Sequence, residues 1–271
     1  MDWGGIAARG MVILGCGKMG SAMLAGWLGR GLAPGAVSVI EPAPSDWLRG
    51  TGVQINAGVP ADPAVAVIAV KPQMMAAALP VMAALGNGRT LVVTVAAGTP
   101  IATYEAVLGA RTPVIRAMPN TPAAIGRGIT AIIGNARVSG AQMDLAEGLM
   151  SAVGEVVRLE SEAQMDAVTA VSGSGPAYAF HLIETLAAAG EAEGLPADLA
   201  LRLARATVAG AGALAMASQE TPAELRRNVT SPNGTTQAAL EVLMDAESGL
   251  PALMRRAVAR SAERSRELSR G

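Results

Sequence analysis

Gly15-Cys16-Gly17-Lys18-Met19-Gly20 directly follows the apolar run Met11–Leu14 and precedes a stretch rich in Ala, Leu and Met. Strand, glycines, helix is the order that suits a bound pyrophosphate. The first glycine permits a sharp turn, the second lets phosphate approach the backbone, and the third lets helix and strand pack closely. The helix start then offers N–H groups without internal acceptors, and its dipole favours negative charge. Cys16, Lys18 and Met19 fill the variable positions. Cys16 reads as a small filler, although a helix N-terminus would lower its pKa and raise its reactivity. Lys18 reads as a dispensable neutraliser of phosphate. Glu41 closes the next β-branched run, 37–41, where a carboxylate grips the ribose of a dinucleotide. Two more strand ends, Ala69-Val70-Lys71-Pro72 and Val95-Ala96-Ala97-Gly98, face the same crevice, because open α/β sheets bind ligands outside the carboxyl ends of their strands. Taken alone, Pro72 and Gly98 each read better as simple strand stops before helices.

Other chemistries lack their residues. Cys16 is the only cysteine and His181 the only histidine in 271 residues. An internal disulfide and a thiolate cluster are therefore excluded, a multi-histidine metal site or a Ser-His-Asp hydrolase would have to be built on that one imidazole and is not expected, and the expected metal set is none. His181 reads as a partly buried or interface imidazole. The formal charge of −1 favours neither nucleic acid nor an anionic surface. Mean hydropathy is +0.37, yet the long uncharged stretch 72–88 is broken by Pro80 and no window reaches the ~20 apolar residues of a span. The opening Met1-Asp2-Trp3-Gly4 carries no basic leader. A cytoplasmic chain with neither signal peptide nor anchor is the expectation.

These residues need two kinds of scaffold. Strands are expected at 11–15, 37–41, 65–71, 90–96, 114–118, 128–133 and 155–159, several apolar without alternation, as in strands covered on both faces. Their alternation with helical stretches implies a parallel, doubly wound sheet. After Ser161 the strands stop. Ser161-Glu162-Ala163-Gln164 and Thr221-Pro222-Ala223-Glu224 read as capping boxes, and helices are expected at 162–171, 176–193, 197–218, 222–228, 235–246 and 251–268. Gly210 and Gly212 weaken their helix by roughly 1 kcal/mol each against Ala, so close approach of another helix is the expected compensation. The arginine-rich run 255–270 reads as a solvated last helix. The fold class is thus α/β: a Rossmann-type doubly wound domain over 1–160, then an all-α domain over 161–271.

Five further motifs follow the glycines in order: Ala69-Val70-Lys71-Pro72, Ala96-Ala97-Gly98, Arg116-Ala117-Met118-Pro119-Asn120-Thr121-Pro122, Ser172-Gly173-Ser174-Gly175-Pro176-Ala177-Tyr178, and Val229-Thr230-Ser231-Pro232-Asn233-Gly234-Thr235-Thr236. Together they resemble the pyrroline-5-carboxylate reductase family over residues 11–268. The resemblance implies a reductase of the cyclic imine 1-pyrroline-5-carboxylate, yielding L-proline with NADH or NADPH. It also implies that the helical domain dimerises by interleaving, and that dimers often assemble in fives, a decamer. The active site then joins the nicotinamide of one subunit to the helical domain of the other. Glu162, Asn228, Thr235 and Thr236 match positions lining the substrate or nicotinamide pocket, and Thr236 matches the hydroxyl beside the substrate's ring nitrogen. One departure is Asn233, where the family usually has glycine; Asn is the side chain most tolerant of φ > 0.

The chemistry asks little of side chains, since the cofactor carries the hydride and protein supplies orientation. Gly234, Thr235 and Thr236, opening a helix, offer N–H donors for the substrate carboxylate, and Thr236 a proton donor for nitrogen. From the residues alone an ordinary N-cap and a site are equal readings of the two threonines, and the resemblance implies both roles at once. Glu41 favours NADH, because NADP would bring a phosphate against it, unless Pro42 turns it outward and Ser45 or Arg49 receives that phosphate. Two other readings compete. A β-hydroxyacid-dehydrogenase-like enzyme would need a lysine in the helix after the Ser-Gly loop, but Lys18 and Lys71 are the only lysines. A non-catalytic dinucleotide sensor would not need the Thr235-Thr236 segment.

Overall fold

Four-residue runs such as Met-Val-Ile-Leu and Val-Ala-Val-Ile leave no polar face to turn to water, so they settle in the middle of a sheet. The computed structural model describes residues 3–269. Its eight strands are β1 (Met11–Leu14), β2 (Val37–Ile40), β3 (Gln54–Ile55), β4 (Val65–Ile68), β5 (Leu91–Thr94), β6 (Val114–Met118), β7 (Gly128–Gly134) and β8 (Gly154–Arg158). They form one sheet in the order β3-β2-β1-β4-β5-β6-β7-β8. The chain winds outward in both directions from β1, which creates a crevice at the β1/β4 switch point.

The α-helices with this sheet are α1 (Gly4–Arg9), α2 (Lys18–Gly29), α3 (Asp46–Arg49), α4 (Met75–Ala78), α5 (Ile101–Leu108), α6 (Gly140–Ser151) and α7 (Met165–Val168). Alternate strand residues face opposite layers. Ile13, Val65 and Val93 join Trp27 and Leu149 in one core, while Val12, Ile68 and Val92 join Met82 and Tyr104 in the other. The indole N–H of Trp27 donates to the Leu149 carbonyl at 2.8 Å, which satisfies the polar atom that a buried Trp brings.

All ladder pairs are parallel except β6 with β7. That pair corrects the expectation of a wholly parallel sheet. Its connection is only the 3-10 turn Thr121–Ile125 and left-handed Gly126, too short for the helical crossover that a parallel return needs. The two-residue β3 has no counterpart among the expected strands. Helix α6, in the helical stretch between β7 and β8, is capped by Ser139 and Gln142 in a full capping box.

Contacts divide the chain into residues 1–173 with 261–271, and residues 174–260. The division falls later than the sequence boundary near Ser161. The capping box is present there, but the turns it opens are stitched into the sheet unit. Arg116 binds Glu162, Asn120 donates to the Ser172 carbonyl at 3.2 Å, and Asp166 accepts from Ser265 at 2.6 Å. After α7 the chain widens into a π turn, Thr169–Gly173.

The second unit carries α8 (Gly175–Ala192), α9 (Ala197–Ala217), α10 (Pro222–Asn228), α11 (Thr235–Leu243) and the first part of α12 (Leu250–Ser269). Its buried cluster is only Ala187, Ala200 and Ala204 with Ile183 against them. Within this chain the close helix approach is at Gly190, where a Cβ would lie 3.4 Å from that of Ala200; Gly210 and Gly212 face open space. Of the two alternatives for His181, partial burial is not seen within the chain, where its side chain is 73% exposed and pairs with Glu184 at 3.1 Å; the interface alternative stands. Helix α9 is long and apolar enough to cross a membrane by length and composition alone. Its many Ala and Leu residues outweigh Arg202 and Arg205 in that average. In the terminal run, Arg264 pairs with Glu267 at 2.6 Å; Arg270, like Met1 and Asp2, lies outside the described residues.

Candidate functional site

The three glycines each do a different job. Gly15 has φ +85, and a Cβ there would sit 2.8 Å from Val70 Cγ1; a Cβ at Gly20 would sit 2.7 Å from the Gly15 carbonyl oxygen. Those two positions are closed by protein. A Cβ at Gly17 would meet nothing within 4 Å, so the space in front of it is left for a ligand. Gly17 is also the N-cap of α2 and lends no side chain to that end. The amides of Lys18, Met19 and Gly20 therefore keep their donors for an anion. These features fit a dinucleotide pyrophosphate.

Glu41 lies against this loop. Its Oε2 accepts from the Cys16 amide at 2.7 Å and its Oε1 from the Ala43 amide at 3.0 Å. Both oxygens thus have a backbone donor, and the side chain points inward despite Pro42. Asn56 braces the same residue, accepting from the Glu41 amide and donating to its carbonyl, each at 2.9 Å. Sequence reading missed Asn56. Its signal is an Asn at φ +56 just after β3, a strand too short to show periodicity. Ser45 is engaged as the N-cap of α3.

Cys16 is buried, and burial pushes its thiol up; the Ser21 hydrogen bond offsets this in part, and the nearby Glu41 charge adds to the rise. Burial and the neighbouring carboxylate both favour the neutral thiol, in keeping with the reading of Cys16 as a small filler. Lys18 and Lys71 are exposed, while Ala69, Val70, Pro72, Val95 and Ala97 are half-buried. Ala69 N–H donates to Leu14 O at 2.8 Å and Val95 N–H to Ile68 O at 3.0 Å. The loops after β1, β4 and β5 therefore leave the sheet side by side, as a dinucleotide crevice requires.

Glu162 belongs to the same unit. Its Oε1 accepts from the first amide of α5, Ile101, at 2.9 Å and from Arg116 Nη1 at 2.8 Å. Beneath α5, Thr94 donates to the Tyr104 hydroxyl at 2.5 Å, and burial pushes the Tyr104 phenol up. Arg116 and Asn120 were visible only as letters of a motif. Asn120 accepts from the Ile129 amide at 2.9 Å and donates to Ser172, tying β7 to the π turn.

In the second unit, Asn228 ends α10 and donates to Glu220 at 2.7 Å. Asn233 sits at φ +56, the strained turn position expected of it. The Gly234 amide donates to Ser231 O at 3.1 Å, so that amide is not a free donor. Gly234 itself is the N-cap of α11, with no side-chain cap bond. Thr235 and Thr236 therefore occupy the first turn, exposed, with amides that have no helical acceptor. The N-cap reading of the two threonines is thereby corrected. Among the described residues no group of three or more His, Cys, Asp or Glu is placed to hold a metal ion.

Comparison with known proteins bears on both units. Residues 162–268 match the family model for pyrroline-5-carboxylate reductase dimerisation, and residues 11–98 match that for NADP oxidoreductase coenzyme F420-dependent. The chain is 42% identical to the pyrroline-5-carboxylate reductase of Pseudomonas aeruginosa, covering 96% of each chain. It is 37% identical to that of Methanosarcina acetivorans, over 95% of this chain and 97% of the other. Among solved structures, the Coxiella burnetii pyrroline-5-carboxylate reductase superposes with a TM-score of 0.89 at 33% identity, covering 96% of this chain and 98% of that one. The Plasmodium falciparum pyrroline carboxylate reductase with NADP bound gives 0.84 at 25% identity over 96% and 98%. With relatives at 37% and 42% identity over nearly the whole chain and the dimerisation model matched over 162–268, the chain belongs to the pyrroline-5-carboxylate reductase family, NAD(P)H-dependent oxidoreductases acting on a cyclic imine.

Proposed function

We propose that this chain reduces 1-pyrroline-5-carboxylate to L-proline with NADH as the preferred cofactor, acting as a homodimer in the cytoplasm, with five dimers forming a decamer. The observation that carries the reading is the start of α11: two adjacent threonines, exposed, with free first-turn amides and no capping duty. The Thr235 and Thr236 amides take the substrate carboxylate, the use to which a helix N-terminus is suited. The Thr236 hydroxyl donates to the ring nitrogen, so no catalytic His or Lys is needed. When bound, the reduced nicotinamide supplies hydride to the imine carbon. Gly15 to Gly20 hold its pyrophosphate, Glu41 its adenosine ribose, and the segments at Ala69–Pro72, Val95 and Ala97 flank the rest; Glu162 and Asn228 line the pocket.

Support for NADH comes from the grip on Glu41. Two amides and the Asn56 brace hold the carboxylate inward, so swinging it away from a 2′-phosphate breaks hydrogen bonds. At about 4 Å and an effective dielectric of about 20, like charges repel by roughly 4 kcal/mol, less after solvent screening. A tenfold preference needs only about 1.4 kcal/mol of that. Steady-state kinetics with 1-pyrroline-5-carboxylate and each reduced cofactor at physiological salt tests both parts. The expected result is an NADH advantage of at least roughly tenfold in kcat/KM. Equal or better use of NADPH overturns the preference, and no imine-dependent oxidation of either cofactor overturns the enzyme in favour of a sensor.

A further inference from the structure

Arg116 is in the middle of β6, its side chain only 5% exposed, and it meets Glu162 with one nitrogen alone, Nη1 to Oε1 at 2.8 Å. The Ile101 amide that opens α5 holds the same oxygen. The guanidinium's other terminal nitrogen, Nη2, is buried without a partner, the one side-chain atom so placed among the described residues. Glu162 Oε2 likewise has no hydrogen bond there, and this side chain is 34% exposed. Arg–carboxylate pairs commonly close as a fork with two parallel bonds. Here one prong is joined and the other is open on both sides.

We propose that Arg116 is a positioning residue: with the Ile101 amide it locks one Glu162 oxygen, which makes the other a fixed acceptor for a ligand N–H. The chemistry required of the ligand is a nitrogen donor, and the carboxamide N–H of the nicotinamide supplies it, because a ring nitrogen that accepts from Thr236 has no N–H of its own to give. The buried guanidinium suits this role because Arg stays charged, and it presents its donors in a rigid plane. Without it Glu162 is held by one amide and is free to change rotamer. This inference rests on reading Glu162 as a pocket residue.

The test compares Arg116→Gln, Arg116→Lys, Glu162→Gln and the double variant Arg116→Gln/Glu162→Gln in the full-length protein. NADH affinity is read by fluorescence titration, imine KM and kcat by steady-state kinetics, and folding by melting temperature. Loss of a hydrogen bond to a charged group predicts that Arg116→Gln and Glu162→Gln each weaken one ligand by roughly tenfold or more. The ligand weakened is NADH; a rise in imine KM with NADH affinity intact overturns the proposal. Arg116→Lys, keeping charge and one donor but losing the fork, falls between wild type and Arg116→Gln, and the double variant is no worse than the worse single. Should Arg116→Gln fail to fold, an Arg116→Lys that weakens that one ligand supports the proposal, and one that binds both ligands as wild type does overturns it. A uniform fall in kcat and melting temperature with both affinities unchanged also overturns it, marking Arg116 as structural. Weakened binding in Glu162→Gln with normal binding in Arg116→Gln overturns this proposal alone. Normal binding in Glu162→Gln removes the pocket reading of Glu162 and the proposal with it.

Discussion

Glu41 and Thr236 are read for opposite reasons: one is held by everything around it and the other by nothing. Each Glu41 oxygen already accepts a backbone amide, so the carboxylate is a fixed negative point that a ligand must accommodate. Replacing it in Glu41→Ser removes that charge, and the expected outcome is a narrowing or reversal of the NADH preference, read as the ratio of the two kcat/KM values; an unchanged ratio places selectivity elsewhere. The Thr236 hydroxyl lies exposed in the first turn of α11 without a capping bond, so removing it costs the fold little. A positioned proton donor contributes roughly 10²–10⁴-fold to a rate. Thr236→Val is therefore expected to lower turnover of the imine by more than about tenfold while NADH affinity stays near wild type. Near-wild-type turnover in the purified variant would strip the hydroxyl of that role.

At the scale of elements, the turn before α11 decides where those threonines point. Asn233 occupies the left-handed region at φ +56 and its amide donates to Gln237 at 2.8 Å, joining the turn to the helix it precedes. A left-handed conformation costs an ordinary L-residue about 1–2 kcal/mol, and Asn and Gly least. Asn233→Gly should leave stability and imine KM close to wild type. Asn233→Val should lower the melting temperature and raise imine KM together, because a β-branched side chain forces the turn to shift. Thermal melts and steady-state kinetics on the pair check this, and a tolerated Val would show that the turn geometry is slack.

The whole molecule is lopsided in how it buries its apolar surface. The sheet unit has two extensive cores, one on each face. The helical unit has three buried alanines, and it exposes Phe180 at 61%, Met216 at 71% and Val242 at 72%. So small a core does not hold five helices, and apolar exposure on that scale marks an association surface. The family match to a dimerisation domain over 162–268 supplies the partner class, a second copy. Open space at Gly210 and Gly212 then reads as room for that copy's backbone. Gly210→Leu should abolish assembly and activity together, since obligate interfaces bury upwards of about 2,000 Å² and tolerate no bulk at their tightest point. Sedimentation analysis decides; a fully active monomer would sink the idea.

Much of this protein was legible in local pattern. Seven strands follow from short aliphatic runs, and the capping boxes at Ser161 and Thr221 from hydroxyl and Glu or Gln spacing, because those signals act within a few residues. The glycine loop and Glu41 were legible for the same reason. Other features arise only when distant segments meet. The antiparallel β6–β7 pair depends on the length of a connection and not on either strand's letters. The rise in the Cys16 thiol depends on burial, which outweighs its hydrogen bond with Ser21. Asn56 acquires its role because parallel pairing of β2 and β3 carries it to Glu41. Arg116 looked like one residue in a motif until β6 and the turn after β8 placed its guanidinium against Glu162. Periodicity and capping are short-range forces, so sequence alone determined the elements and the phosphate loop. Ion pairs, burial and strand direction are set by what the chain brings together across tens of residues, and only the tertiary structure decided those.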